Sequence, residues 1–233
     1  MIRDNILHIR QILPKGVHLL CVSKYHSTEE IYEAYKAGER HFGESRVQEL
    51  LLKKTALPDD IHWHFIGHLQ TNKVKLILPF VDLIHGVDSV HLLQTISQQQ
   101  AFLLDSGSTT KQEINVLLEV KVAQEATKYG FTVKEINTLF QQLTDGSISL
   151  PHIRIAGLMG MASNTTDESQ IRQEFTALHN LFMKLCTIQS SAKTKDCSIA
   201  EPLSILSMGM SEDYRIAIEC GSNLVRIGSA IFE

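Results

Sequence analysis

The chain has 233 residues, 43% of them hydrophobic and 21% charged, which suits one sizeable soluble domain spanning 1–233. The formal charge is −4, with no basic block, so neither a nucleic-acid nor an anionic-membrane partner is expected. Four scattered cysteines, Cys21, Cys186, Cys197 and Cys220, form no C-x-x-C pair and read as free thiols of a cytoplasmic protein.

In chain order, residues 2–12 read as an extra N-terminal helix without the apolar run of a secretory signal. Strands are predicted at 17–23, 39–43, 61–66, 81–87, 114–120, 153–159, 203–208 and 223–228. Several are nearly continuous apolar runs, the mark of parallel strands covered on both faces. Helical patterns lie between them, at 28–38, 46–56, 69–78, 88–104, 132–144, 167–188 and 212–220. Ser27 or Thr28 is the N-cap of the first, with two glutamates in its opening turn and Gly38 at its end. Polar stretches near 105–113, 145–151 and 189–201 read as loops.

Eight strands alternating with helices predict an α/β fold, a single (β/α)8 TIM barrel; an open doubly wound sheet is the runner-up. The polar and glycine-rich positions fall at the C-terminal ends of the strands: Ser23-Lys24, Gly43-Glu44-Ser45, Gly67-His68, Ser207-Met208-Gly209 and Gly228-Ser229 among them. Barrel active sites occupy that face.

Lys24 ends the first apolar run. Most strand-end lysines are solvated, but one beside a cavity is a candidate for imine formation with an aldehyde. Attack needs the neutral amine, which partial desolvation favours. The loops after strands seven and eight are the usual phosphate site of this barrel, and Ser207, Gly228 and Ser229 lie there. Arg226 stands two residues before Gly228 on the same strand face. It reads either as a donor to a ring nitrogen or anion, or as half of an internal salt bridge to Glu44 or Asp88. His62, His64 and His68 lack the carboxylate or cysteine spacing of a metal set, so no metal is expected and a histidine-rich strand surface is the preferred reading.

Val22-Ser23-Lys24 with Phe42-Gly43-Glu44-Ser45-Arg46-Val47-Gln48-Glu49 resembles the pyridoxal 5′-phosphate homeostasis proteins. The resemblance continues through Trp63 to Lys73, His85 to Ser89, Gly157-Leu158-Met159, Leu206 to Ser211 and Val225 to Phe232, nearly the whole chain. It implies a barrel like the N-terminal domain of alanine racemase, with pyridoxal phosphate as the cofactor, held as an aldimine. Lys24 matches the Schiff-base lysine. Ser207, Gly228 and Ser229 match phosphate contacts, and Arg226 matches the arginine facing the pyridine nitrogen. Asn72 and Met208 lie in matching motifs. Ser45-Arg46 departs from the Asn-Tyr common in the family, which puts a cofactor contact at that corner in question.

An arginine at the ring nitrogen leaves it unprotonated and weakens the cofactor as an electron sink. Racemisation also uses a proton-transfer group on each face of the substrate. Lys24 supplies one face; the last strand ends near residue 228 of 233, leaving no room for a second domain to supply the other. Tyr25 and His68 are the local substitutes to inspect. The expected function is therefore intracellular homeostasis of pyridoxal phosphate by a non-enzymatic binding protein, with a pyridoxal phosphate-dependent amino-acid racemase as the alternative. Apo-enzymes that accept the cofactor are the expected partners. No coiled-coil heptad stands out, so a monomer is expected.

Overall fold

The structure is a computed structural model and describes residues 1–123, 129–191 and 196–233. The strands are β1 (His18–Val22), β2 (His41–Glu44), β3 (His62–Phe65), β4 (Val81–Val87), β5 (Ile114–Glu119), β6 (Ile153–Met159), β7 (Ile205–Ser207) and β8 (Leu224–Ile227). All pair in parallel, each with the next, and β8 closes on β1 through Leu20 opposite Arg226. The predicted barrel is therefore present, and the open-sheet alternative is excluded. Every strand lies within two residues of its expected ends.

The helices are α1 (Ile2–Ile12), α2 (Thr28–Lys36), α3 (Val47–Ala56), α4 (Val74–Ile77), α5 (Val90–Asp105), α6 (Val133–Asp145), α7 (Glu168–Ser191), α8 (Tyr214–Glu219) and α9 (Ser229–Phe232). Local chemistry fixes their starts. Ser27 accepts from the Glu30 amide at 3.3 Å while the Glu30 carboxylate accepts from the Ser27 amide at 2.7 Å, a reciprocal cap on α2. Thr132 and Glu135 repeat it on α6, which ends at Gly146 with φ +80°. Three expectations change. The helix predicted over 69–78 is a 3-10 turn, Thr71–Lys73, followed by the single turn α4. Helix α9 was not predicted. The α7 helix extends into the loop expected at 189–201, of which 192–195 lie outside the described residues.

Strand alternation sorts the side chains into two layers. Leu19, Cys21, Phe42, Trp63, Phe65, Ile84, Leu206, Met208, Val225 and Ile227 pack outward in the large core between barrel and helices. Leu20, Leu83, Leu117, Ala156, Met159 and Leu224 form a smaller cluster inside the barrel. By the same alternation His64, His85, Ser207 and Arg226 belong to the inner set. The β7–β8 seam is short, pairing at Ser207 and Leu224, and beyond it the Arg226 amide donates to the Gly209 carbonyl at 3.0 Å. The four cysteines are free thiols. Among the described residues no helix is long and apolar enough to cross a membrane.

Candidate functional site

A cavity of about 800 Å3 opens at the C-terminal mouth of the barrel. Lys24, Arg226, Gly228 and Ser229 line it together. Four of the residues singled out in the sequence therefore meet at one place, although they come from opposite ends of the chain.

Lys24 stands two residues past β1 and is exposed at the mouth, not buried as the apolar run before it suggested. The strand stops at Val22, so the side chain leaves the core. Its neighbour Tyr25 holds a left-handed backbone, φ +70°, which turns the chain sharply here. The Lys24 ammonium lies 5.9 Å from the Tyr25 ring centroid, and the Arg46 guanidinium lies 5.2 Å from it. Arg46 also pairs with Glu49 at 3.1 Å. At the corner where the family commonly has Asn-Tyr, Ser45 lines the cavity while Arg46 braces Tyr25.

A buried ion pair anchors the backbone just before Lys24. The Lys53 ammonium donates to Glu44 Oε1 at 2.7 Å and to the Ser23 carbonyl at 2.9 Å. The Ser23 hydroxyl donates to the same Glu44 oxygen at 2.6 Å. Burial pushes the Glu44 carboxyl upward from its ordinary pKa, and the bonds from Lys53 and Ser23 oppose that push.

Arg226 is buried, with 4% exposure. Its Nη1 donates to the Ser207 carbonyl at 2.9 Å and to the Ser207 hydroxyl at 2.7 Å, and its Nη2 donates to the Gly160 carbonyl at 3.1 Å. Three of the five N–H hydrogens of the guanidinium thus meet protein acceptors. Its remaining donors, on Nε and Nη2, belong to a side chain that lines the cavity. The internal salt bridge to Glu44 or Asp88 is not what holds it. Desolvation lowers its pKa to about 10, against the fields of Asp213 and Glu119, so it remains a cation at neutral pH.

At the end of β8 the Ser211 hydroxyl accepts from the Gly228 amide at 3.3 Å and the Ala230 amide at 3.5 Å. Gly209, φ +90°, makes the turn after β7 possible; a Cβ there would lie 2.7 Å from the Ala217 Cβ. Opposite, Ser163 to Thr166 close the wall after β6. Glu174 of α7 holds this loop, accepting from the Ser163 amide at 2.6 Å and its hydroxyl at 2.8 Å. Ser211 ends the motif from Leu206 that the sequence singles out, though without a role there, and the 163–166 loop escaped it; serine and threonine content just past a predicted strand was the available signal.

The other predicted residues lie apart from this wall. Ser207 is fully buried and supports Arg226 from within. Met208 points the opposite way by strand alternation and is buried in the outer core. Asn72 is exposed in the 3-10 turn after β3 and does not line the cavity. His68 pairs with Asp88 at 3.0 Å and stacks on Tyr129, also away from the lining.

The histidine-rich face is a solvated surface only in part: His62 and His68 are exposed. His64 and His85 are buried inside the barrel and bonded to each other at 3.0 Å. Alternation placed His62 and His64 on one face, but in a closed barrel that face is the interior. Among the described residues, no group of three or more histidine, cysteine or acidic side chains could hold a metal ion.

The family model of the alanine racemase N-terminal domain matches residues 1–233. A pyridoxal phosphate homeostasis protein from Pasteurella multocida is 35% identical, over 99% of this chain and 93% of that protein. One from Schizosaccharomyces pombe is 38% identical, over 94% of this chain and 84% of that protein. The chain belongs to the pyridoxal phosphate homeostasis protein family. The structure of PipY from Synechococcus elongatus with pyridoxal phosphate bound aligns at TM-score 0.83 and 31% identity, covering 100% of both chains. Alanine racemase from Corynebacterium glutamicum aligns at TM-score 0.70 but 13% identity, over 59% of that chain, a likeness of fold alone.

Proposed function

We propose that this protein binds pyridoxal 5′-phosphate at the mouth of the barrel and serves its homeostasis inside the cell. The observation that carries the reading is the meeting of Lys24, Arg226 and the β8–α9 turn around one cavity. A primary amine, a buried cation with donors to spare and a small-residue turn fit an aldehyde, a pyridine nitrogen and a phosphate in turn. The names of the family members and the cofactor in PipY support the same assignment.

When bound, pyridoxal phosphate supplies an aldehyde that condenses reversibly with a primary amine. Lys24 is the amine we assign to that linkage. The Ser23–Glu44–Lys53 cluster holds the backbone from which Lys24 projects. Arg226 donates toward the ring nitrogen and, as a permanent donor, keeps that nitrogen an acceptor. The Ser211 hydroxyl, oriented by the Gly228 and Ala230 amides, and Ser229 would hold the phosphate beside the small Gly228, with Ser207 holding Arg226 in place. Met208 shapes the turn from the outer core, and Asn72 lies at the rim after β3.

A reversible linkage suits a carrier that limits free aldehyde and hands the cofactor to apo-enzymes. We read the chain as a single-domain cytoplasmic monomer in that role. Racemisation is not the favoured reading: the curated relatives are named as homeostasis proteins, the solved alanine racemases are alike in fold alone, and of the two local substitutes His68 is engaged with Asp88 away from the cavity lining, while Tyr25 lines the cavity beside Lys24.

The test is absorbance of the purified protein with added pyridoxal phosphate, followed by borohydride reduction and peptide mapping. The expected result is a reduced adduct on Lys24 that Lys24→Ala lacks. An adduct of equal yield elsewhere would remove the assignment.

A further inference from the structure

Three imidazoles run through the barrel interior from its base to the cofactor side. His41, exposed at the start of β2, faces His64 with Nδ1 to Nε2 at 3.1 Å. His64 Nδ1 faces His85 Nε2 at 3.0 Å, and His85 Nδ1 faces the Ser207 hydroxyl at 3.4 Å. Ser207 accepts from Arg226 at 2.7 Å. The chain begins at a second cavity of about 880 Å3 at the base, lined by His41 and His64, and ends at the guanidinium of the mouth cavity.

Donor chemistry gives this chain a direction. Arginine only donates, so the Ser207 oxygen accepts from it and the hydroxyl hydrogen is free for His85 Nδ1. His85 then carries its hydrogen on Nε2 and gives it to His64 Nδ1. His64 gives its own Nε2 hydrogen to His41 Nδ1. The positive ends of these dipoles all point away from the buried cation, which is the favourable orientation, and each bond strengthens the next. His64 and His85 are neutral imidazoles at pH 7, because burial depresses both pKa values strongly, His64 to about 3.

Protonating His41 reverses the order. An imidazolium donates from both nitrogens, so His41 Nδ1–H must face a bare His64 Nε2. His64 then holds its hydrogen on Nδ1, as does His85, and Ser207 accepts from both His85 and Arg226. One proton is gained from solvent in total, on His41 Nδ1; His64 and His85 each exchange a hydrogen on Nε2 for one on Nδ1, and the Ser207 hydroxyl keeps its own hydrogen, turned away from His85. The groups around the entry point set where this occurs. His62 stacks on His41 at 4.7 Å, and His62 and His18 disfavour a charge there while Asp82 favours it. Asp82 is itself bound by His62 and Lys111. Burial weighs most, and the net effect holds the His41 pKa below 6.5. At the far end Arg226 opposes charge on His85, and Asp213 and Glu119 act on Arg226.

We propose that His41, His64 and His85 form a relay that transmits protonation at the base of the barrel to the Ser207 hydroxyl, and through it to the hold on Arg226. A hydroxyl that donates onward is a better acceptor than one that accepts twice, so acid at the base loosens the Ser207–Arg226 bond. The three histidines are positioning residues. Their effect on the cofactor rests on the reading of the mouth cavity given above; the relay itself does not.

The test is nitrogen-15 NMR of histidine-labelled protein without cofactor, from pH 8 to pH 5. His64 and His85 are expected as Nε2–H tautomers at pH 8, changing to Nδ1–H along the titration curve of His41. In His41→Phe both are expected to stay Nε2–H throughout. His64 and His85 tautomers that ignore the His41 titration would overturn the relay. In a second arm, pyridoxal phosphate affinity is measured by absorbance at both pH values. The wild type is expected to lose about fivefold more affinity in acid than His41→Phe, the scale of one weakened hydrogen bond. Equal losses overturn the coupling to the cofactor. Absence of binding at either pH overturns the reading of the cavity, while the tautomer result still decides the relay.

Discussion

The Arg226 guanidinium is bonded twice to one residue, Ser207, through the carbonyl at 2.9 Å and the hydroxyl at 2.7 Å. These two residues sit on adjacent strands, β8 and β7, at the short seam that pairs at Ser207 and Leu224. The guanidinium therefore joins the two strands as well as facing the cavity. A lysine is a point donor and cannot span Ser207 and the Gly160 carbonyl together. Arg226→Lys is expected to lower stability by about 1–3 kcal/mol in urea unfolding. Cofactor binding is expected to weaken by roughly tenfold, the equivalent of one such bond. Unchanged values for both would contradict the dual role.

The Glu44–Lys53 pair predicts a different pattern. Glu44 is fully buried and Lys53 is nearly so. Lys53→Met leaves an uncompensated carboxylate and is expected to destabilise by about 3–5 kcal/mol at pH 7.5. The deficit should shrink in acid. Burial raises the folded-state pKa of Glu44, so the folded protein takes up a proton before the unfolded chain does, and stability is regained as pH falls through that raised value. The double variant Glu44→Leu/Lys53→Met is expected within about 1 kcal/mol of the wild type. Denaturant curves of the three proteins at pH 7.5 and 5.0 check both statements.

Much of this arrangement was legible in the sequence, and its gaps have physical causes. Apolar runs bounded by glycine and polar residues located all eight strands because parallel barrel strands are covered on both faces. The same runs placed Lys24, Arg226 and Gly228 at strand ends. Periodicity of two could not say which face of a strand is the barrel interior. Met208 was therefore grouped with Ser207, although successive residues point oppositely, and His64 was read as surface. Residues 69–78 show a helical pattern, but Thr71–Lys73 tightens into a 3-10 turn. The α9 turn has four residues, too few to show a period.

Gly157 tests the barrel wall beside the site. A Cβ at this position would overlap the backbone carbonyl of Ile205 on β7. Gly157 pairs with Ile205 in the β6–β7 ladder, so neither strand can retreat without losing hydrogen bonds. Gly157→Ala is expected to destabilise by about 3 kcal/mol or more, at the upper end of overpacking effects. Thermal unfolding measures this directly, and a variant as stable as the wild type would show that the seam is free to widen.

The buried histidines predict how stability depends on pH. Burial depresses His64 from 6.5 to about 3, and His85 moves in the same direction. In the unfolded chain both regain ordinary values near 6.5. Below that pH the unfolded state binds protons that the folded state refuses. Stability is therefore fully present above about pH 6.5 and falls by about 1.4 kcal/mol per unit per histidine as pH drops toward the folded values. Between pH 7.5 and 5.0, His64 alone is expected to account for about 2 kcal/mol. Glu44, Glu119 and Asp213 act oppositely, since burial raises each of them. Comparison with a variant separates the two groups, because those acids are common to both proteins. His64→Gln keeps an amide near the Nε2 position but cannot bind a proton in either state. Its urea-derived stability is expected to fall by about 2 kcal/mol less than the wild type over the same interval. Parallel pH curves for the two proteins would mean that His64 is protonated in the folded state, and the neutral imidazole chain would not exist.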